Sequence, residues 1–272
     1  MKKILILSWI TDDYIDILNA KNLQNSIKYF HSDVEFKIFN TADTIHIKGK
    51  YNGITNMWMK PAISLEYIDS YDMIVLLDGD IIITGDLTDI LTSVEDIICV
   101  RNMNSQGKAG AHFWGNHITL DKKIINSVDF LNAGLVASNS KKFWIDWHTT
   151  NEYYRKYNMH GMGDEQGTLN HVFYNGEFST KIMDGPGIKA SYGLTNAWGT
   201  GNNHWESWSS IFVREDKLYI PDPIEGEIEV KVLHQAGGQL AHDLNLKHHG
   251  FRNWLKTIVS EDVNQYIDKI TS

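Results

Sequence analysis

The stretch Met73–Leu87, MIVLLDGDIIITGDL, sets two carboxylates one residue apart between two apolar, β-branched runs. The first run predicts a buried strand that ends at Asp78. In open α/β sheets, ligands bind beyond the carboxyl ends of the strands. Because Gly79 permits close backbone approach, the flanking oxygens of Asp78 and Asp80 can hold a divalent cation that bridges the phosphates of a nucleotide.

Two other interpretations of the triplet exist. Asp-Gly is a strong turn dipeptide, so Asp78–Asp80 alone fits a simple turn equally well. An EF-hand loop is disfavoured, because Ile82 and Ile83 stand where such a loop needs an oxygen ligand and a flexible turn.

Working outward from this stretch, the apolar periodicity predicts strands alternating with helices, the pattern of a parallel α/β sheet. We expect strands at 2–10, 34–40, 71–78, 96–100, 130–139 and 228–238. We expect helices at 13–30, 58–68, 88–93, 140–157, 164–174 and 251–270. The Gly- and Asn-rich residues 101–121 lack periodicity, and a loop of that length is either disordered or a working lid.

Composition limits the function classes. A chain of 272 residues that is 42% hydrophobic can bury the core of one large domain. The net charge of −9 and the lack of a Lys/Arg run argue against a nucleic-acid partner.

The single cysteine, Cys99, lies in an apolar run and is expected to be a buried strand residue, with no disulfide framework. The N-terminal apolar run predicts a first strand rather than a signal peptide, and no apolar segment approaches the ~20 residues of a membrane span.

Four segments in order carry a family resemblance: YDMIVLLDGDIII, FLNAGLVASN, GDEQGTLNHVFY and VLHQAGG. Together they resemble the glycogenin-like retaining glycosyltransferases of family eight. The resemblance implies the α/β, Rossmann-like GT-A fold of nucleotide-diphospho-sugar transferases, with a mixed, mostly parallel sheet flanked by helices. It implies a single domain over 1–272, with 175–272 as an acceptor-side elaboration and C-terminal helix. The implied activity moves a hexose from a UDP-sugar to a glycan or another hydroxyl acceptor, with retention of configuration.

The resemblance also implies a metal site. Asp78 and Asp80 match the DxD motif that holds Mn²⁺, or Mg²⁺, against the donor diphosphate. His234 matches the third protein ligand, although a histidine taken alone is more often an ordinary surface or core residue. Imidazole beside carboxylates suits manganese. Gly237 matches the glycine after that histidine, but the phosphate-contacting Lys that normally follows is missing from GGQLAHD.

Further positions match donor-binding residues of the family. Lys60 resembles a basic residue near the donor phosphates and sugar, and a solvated helix lysine is the alternative. The positions that match contacts to the uracil are Leu7, Ser8, Thr11 and Tyr14. Tyr14 is a candidate for stacking on the base, with helix-face packing as the competing explanation. The turn expected beside the donor sugar is Asn132, Ala133 and Gly134.

The segment GDEQGTLN resembles the family's Asp-Gln pair with one extra acid. Aligned on GTLN, Glu165 and Gln166 take the places of that pair, and Asp164 is additional. Gln166 would stabilise the oxocarbenium-like centre, while Glu165 or Asp164 would orient the donor sugar. Asp164 can instead cap the following helix, or either acid can serve as the base of an inverting GT-A enzyme.

The remaining expectations concern the acceptor site and two alternative functions. The candidates for stacking on acceptor sugars are Trp198, Trp205 and Trp208, which can equally anchor a long loop. A non-catalytic carbohydrate-binding protein would keep the fold without turnover. A nucleotidyltransferase would need a Gly-rich phosphate loop after the first strand, and SWITDDYID contains no glycine. A cytoplasmic enzyme with no transmembrane segment is the default expectation.

Overall fold

The apolar runs of the sequence pair into a six-stranded sheet. Its strands follow the order β2 (Glu35–Phe39), β1 (Ile4–Trp9), β3 (Met73–Asp78), β8 (Leu131–Ser138), β5 (Ile97–Arg101) and β9 (Thr180–Ile182). Within this sheet, β8 runs antiparallel to both of its neighbours and every other pairing is parallel. This confirms the mixed, mostly parallel α/β sheet that the sequence predicts.

The computed structural model describes residues 2–51, 58–101, 117–118, 124–125, 131–156, 165–183, 194–195, 209–222, 226–234 and 250–272. The helices within these ranges are α1 (Tyr14–Phe30), α2 (Ile45–Lys50), α3 (Met59–Tyr67), α4 (Thr88–Leu91), α5 (Lys141–Lys156), α6 (Glu165–Asn175), α7 (Gly250–Leu255) and α8 (Glu261–Thr271). Among them, none is both long enough and apolar enough to cross a membrane.

Strand β1 shows why the strands read as continuous apolar runs. Leu5 and Leu7 pack on the face covered by α3, α5 and α6, whereas Ile6 packs on the opposite face against α1. Successive side chains of a strand point to opposite faces, and both faces are buried here. Burying each such side chain contributes about 1.5–3 kcal/mol.

Shorter strands form further sheets beside the main one. A three-stranded sheet follows the order β10 (Leu194–Thr195), β14 (Val232–His234) and β4 (Ile81–Ile83). A second follows the order β11 (Phe212–Arg214), β12 (Lys217–Asp222) and β13 (Gly226–Glu229), and a ribbon pairs β6 (His117–Ile118) with β7 (Ile124–Ile125). The register of β14 on β4 sets His234 opposite Ile81, directly after the two aspartates.

Two expected elements are divided in the structure. The late apolar run becomes β13 and β14, because Val230 N–H bonds to the carbonyl of Leu218 while the carbonyl of Lys231 accepts from Thr84 N–H. The late apolar run therefore contributes one strand to each of two sheets. The expected terminal helix is two helices, α7 and α8, because the Ser260 side chain caps the second one by accepting from Val263 N–H. Helix α2 lies between the expected strand at 34–40 and the expected helix at 58–68, and it was not predicted.

Candidate functional site

The order of the main sheet reverses at β1, which has β2 on one side and β3 on the other. Their register sets Trp9, the last residue of β1, beside Asp78, the last residue of β3. The crevice outside the carboxyl ends of strands at such a reversal is where open α/β sheets bind ligands. The chain then turns through Gly79 and Asp80 into β4, so both predicted acids lie at this edge.

Asp78, Asp80 and His234 come together as a set of potential metal ligands. Nε2 of His234 lies 3.5 Å from Oδ2 of Asp78 and 3.4 Å from Oδ1 of Asp80. One ligand atom from each side chain lies within 4.8 Å of the other two. Nε2 of His234 is buried and has no hydrogen-bond partner among the described residues. A buried imidazole nitrogen that lacks a partner and faces two carboxylates is an arrangement that a divalent cation would complete.

The electrostatics of this cluster favour a positive charge at its centre. Burial would lower the pKa of His234, but Asp80 and Asp78 outweigh burial and raise that pKa to about 9. Burial would raise the pKa of Asp78, but Lys60 and His234 hold it well below its usual range. Because metal binding requires neutral imidazole, a cation bound here would displace a proton from His234 at neutral pH.

Gly134 makes room for His234. A Cβ built at Gly134 would lie 2.2 Å from Cε1 of His234 and 2.7 Å from Oδ1 of Asn132. Asn132 is buried, and its Oδ1 accepts from Gly134 N–H at 2.6 Å. The expected turn at Asn132–Gly134 is wrong, because Asn132 pairs with Val100 and the segment is part of β8. Gly134 contacts His234 from within this strand.

Lys60 is a buried cation held by two carboxylates. It is 8% exposed, which excludes the solvated helix lysine considered from the sequence. Its Nζ lies 2.7 Å from Oδ1 of Asp78 and 2.9 Å from Oε1 of Glu165, and it donates to the carbonyl of Ala133 at 3.3 Å. Burial would lower the pKa of Lys60, but Asp78 and Glu165 outweigh burial and raise it. Asp78 therefore bridges, with one oxygen on Lys60 and the other toward His234.

The start of α6 is fixed to β8 by side-chain hydrogen bonds. Oε1 of Gln166 accepts from Ala133 N–H at 3.3 Å. Asn170 accepts from Leu131 N–H at 2.7 Å and donates to the carbonyls of Leu131 and Gln166 at 3.0 and 2.7 Å. Glu165 and Gln166 thus begin a helix whose position is set by the strand that carries Ala133.

The connection between β1 and α1 is organised by Asp16. Its Oδ2 accepts from the backbone N–H of Thr11 at 3.2 Å and from the Thr11 hydroxyl. The Thr11 oxygen accepts in turn from Asp13 N–H at 3.2 Å, and Asp13 caps α1. Tyr14 is 70% exposed at the start of α1, so its ring is not part of the helix packing considered as the alternative.

Leu7 and Ser8 lie further inside β1 than the site. The Leu7 side chain belongs to the core, and its backbone is in register with both β2 and β3. Ser8 is buried, and its hydroxyl has no hydrogen-bond partner in the part of the chain that the structure describes. The side chain nearest the acidic turn is that of Ile10, directly after β1, because a Cβ at Gly79 would lie 2.5 Å from Cγ2 of Ile10 and 3.8 Å from Oγ of Ser8.

A cavity of about 220 Å³ lies at this edge. It is lined by Trp9–Thr11 and Asp16 on one side, by Asp78–Asp80 on another, and by Lys60 and Glu165. The structure therefore gathers predicted residues from four separate segments around one space. The other predicted positions, namely Asp164, Gly237, Trp198, Trp205 and Trp208, lie outside the described residues.

Sequence reasoning missed several residues that build this edge. Trp9 and Asp16 line the cavity, and the indole N–H of Trp9 is buried without a hydrogen-bond partner within the described ranges. The indole N–H of Trp147 donates to the carbonyl of Glu165 at 3.0 Å. Asp16 and Asn170 read as ordinary polar helix positions. Only the location of Trp9 at a strand end, beside the predicted acids, was a usable signal.

Comparison with known proteins supports the fold but yields no sequence relative. No family model matches the chain, and no curated protein matches it. Two structures of LgtC are similar: an active-site mutant, and a complex of this galactosyltransferase with donor and acceptor sugar analogs. Each gives a TM-score of 0.51 at 13% identity and covers 86% of this chain and 87% of the LgtC chain. The apo structure of the bifunctional glycosyltransferase WbbM gives 0.48 at 12% identity and covers 87% of this chain and 46% of that one.

The similarity to LgtC shows the fold. The mixed sheet with flanking helices is that of the GT-A glycosyltransferases, as the sequence predicts.

Proposed function

We propose that this protein is a metal-dependent glycosyltransferase that moves a hexose from a UDP-sugar to a hydroxyl acceptor. The observation that carries the proposal is the convergence of Asp78, Asp80 and His234 at the ligand-binding edge of a GT-A fold. Two aspartates from one turn and a histidine from a distant strand meet within 4.8 Å. A simple turn at Asp78–Asp80 would not require a buried imidazole facing both carboxylates.

The proposed metal is Mn²⁺, with Mg²⁺ as the second choice. Mg²⁺ prefers all-oxygen ligands, whereas a ligand set with one imidazole also suits manganese. When bound, such a cation would neutralise negative charge on a departing diphosphate. Asp78 would bind it through Oδ2, because Oδ1 already pairs with Lys60.

The remaining residues would orient the donor. Lys60 pairs with both Asp78 and Glu165, so it holds the two carboxylates in place, and it would also lie near the donor. Glu165 would orient the sugar, and Gln166 would stabilise charge at the anomeric carbon, with Asp164 as a further acid. The Asn132–Gly134 segment of β8 would act mainly by positioning His234 and Lys60.

The stereochemical course is proposed to be retention. The carboxylates of Asp78 and Glu165 are tied to Lys60, which leaves them poorly suited to act as a base toward an acceptor hydroxyl. Inversion with Asp164 or Glu165 as the base is the alternative. The anomeric configuration of the product, measured by NMR, decides between them.

The acceptor is proposed to approach from the side of β10. Thr195, the last residue of β10, pairs with His234 of β14, so the chain runs into residues 196–208 from beside the metal-ligand cluster. That segment carries Trp198, Trp205 and Trp208, the acceptor-side candidates. A single domain over 1–272, with 175–272 as the acceptor-side part, agrees with this arrangement.

A thermal-shift panel of nucleotide sugars, with and without Mn²⁺, tests donor class and metal together. We expect stabilisation by UDP-sugars only when Mn²⁺ is present, and slow Mn²⁺-dependent release of UDP from the stabilising donor. Stabilisation without any UDP release, even with glycan acceptors added, would instead favour a carbohydrate-binding protein. Stabilisation by no nucleotide sugar would contradict the proposal.

A further inference from the structure

Asp16 presents a fixed carboxylate to the cavity. Its Oδ2 accepts two hydrogen bonds from Thr11, one from the backbone N–H at 3.2 Å and one from the hydroxyl. Oδ1 of Asp16 makes no hydrogen bond or ion pair with any described residue. The side chain is therefore held in one orientation with one acceptor oxygen unused.

The Thr11 hydroxyl has already used its one proton. It donates to Asp16 and accepts from Asp13 N–H at 3.2 Å. A hydroxyl has one proton to donate, so Thr11 cannot also donate to a ligand while this arrangement holds. Of the residues in this connection that line the cavity, Asp16 is the one with a carboxylate, and its Oδ1 is left free for a ligand.

The charges around the cavity define what can lie against Asp16. Four carboxylates line it, and Lys60 is the one cation among the described lining residues. Lys60 is already paired with Asp78 and Glu165. An anionic group beside Asp16 would be repelled, whereas a neutral group that carries O–H donors would be favoured.

The position of Asp16 in the cavity indicates which part of the donor it would contact. The cavity of about 220 Å³ has room for a ring rather than for a whole nucleotide sugar. It extends from the acids of the metal-ligand cluster to the first strand–helix connection, which is the segment that contacts the nucleotide in related α/β sheets. The ring next to the diphosphate on that side is the ribose, whose 2′- and 3′-hydroxyls are neutral donors.

We infer that Asp16 recognises the ribose hydroxyls of the nucleotide donor and makes the site selective for ribonucleotides. The inference rests on the proposed function, since it needs a nucleotide with its diphosphate at the aspartates. A merely structural role is the competing account, in which Asp16 only holds Thr11 in place. The two accounts differ: loss of a structural contact weakens all nucleotides equally, whereas loss of a hydroxyl acceptor weakens only those with hydroxyls.

The test is calorimetric titration of the full chain, with Mn²⁺ present, by UDP and by 2′,3′-dideoxy-UDP. Asp16→Asn keeps an oxygen for Thr11 but replaces the free acceptor with an amide. Asp12→Asn is the matched control, because it removes the same charge from an exposed position in the same connection. No catalytic turnover enters the readout.

We expect the wild type to bind UDP about tenfold or more tightly than the dideoxy analogue. This preference should fall to about threefold or less in Asp16→Asn and stay at the wild-type value in Asp12→Asn. An unchanged preference in Asp16→Asn, equal weakening of both ligands, or no preference in the wild type would overturn the inference while leaving the donor class intact. Failure of UDP itself to bind the wild type would overturn both the donor class and this inference.

Discussion

A methyl group on Gly134 would lie 2.2 Å from Cε1 of His234, so a glycine in β8 decides whether the imidazole at the end of β14 can face the two aspartates. No real pair of carbon atoms approaches so closely without bonding, and His234 is buried, so it has little room to move aside. The close approach connects the Asn-Ala-Gly segment to the metal-ligand cluster through packing.

Gly134→Ala is therefore expected to weaken Mn²⁺ binding tenfold or more by displacing His234. Overpacking should also cost about 1–3 kcal/mol of unfolding free energy. Isothermal titration measures the first effect and urea unfolding the second. Gly49→Ala is the control, because a Cβ at Gly49 meets nothing within 4 Å. Mn²⁺ affinity within twofold of the wild type in Gly134→Ala would show that His234 does not bind the metal.

Lys60→Met should be destabilising, because it leaves the half-buried carboxylates of Asp78 and Glu165 without their shared cation. Removing one partner of a fully buried pair costs about 3–5 kcal/mol, and because these carboxylates are 26% and 16% exposed we expect about 2–3 kcal/mol. Urea unfolding measures the loss. Lys141→Met is the matched control, since Lys141 and Asp69 are also 2.7 Å apart but are 52% and 72% exposed, and should cost less than about 1 kcal/mol. Equal costs for the two variants would mean that the Lys60 cluster is not the buried network described.

Metal-free protein should lose stability as the pH rises through the pKa of His234. That pKa is raised from 6.5 to about 9, so the stabilising contribution is present in full below pH 6.5 and is lost as the pH passes about 9. The advantage of the wild type over His234→Gln should shrink by up to about 3 kcal/mol over this range. Urea unfolding in chelator at both ends of the range measures it. A pH-independent difference would contradict a charged His234.

Mn²⁺ affinity should change with pH in the opposite direction. Because binding displaces the His234 proton, affinity should rise as the pH increases toward about 9, with close to one proton released per metal ion at neutral pH. Calorimetry in buffers of different ionisation enthalpy counts the protons. Release of no proton would indicate that the metal binds without His234.

Asn170→Leu should loosen α6 from β8. It removes the partner of both backbone groups of Leu131, which are buried, at a cost of about 2–4 kcal/mol. Gln265→Leu, which changes an exposed amide on α8, should stay within about 0.5 kcal/mol. If Asn170→Leu proves neutral, the start of α6 is not held by this side chain.

The sequence predicted the parts of the fold that local pattern determines. The buried strands around Leu5 and Val75 are continuous apolar runs in the sequence, and α1 begins within one residue of the start expected from its apolar periodicity. The division of the late apolar run at Val230 could not be predicted, because it depends on hydrogen bonds to Leu218. Long-range pairing of this kind leaves no trace in the periodicity of one segment.

The same distinction between local patterns and long-range contacts applies to the candidate site. The acids at the end of β3 were visible in the sequence, and the approach of His234 to them was expected only through the family resemblance. The neutralisation of Lys60 by Glu165, 105 residues away in sequence, has no local signature. The engagement of Thr11 by Asp16 is local, but it became informative only once the cavity placed Asp16 beside Asp78.

The central claim is that Asp78, Asp80 and His234 hold a divalent cation for a nucleotide-sugar donor. Its most direct test is titration of free Mn²⁺ by electron paramagnetic resonance with wild type, Asp80→Asn and His234→Ala, with circular dichroism to confirm folding and Asp12→Asn as the charge control. We expect one Mn²⁺ per chain in the wild type and in Asp12→Asn, and affinity at least about a hundredfold weaker in the other two variants. Folded Asp80→Asn and His234→Ala proteins that bind Mn²⁺ as the wild type does would contradict the claim.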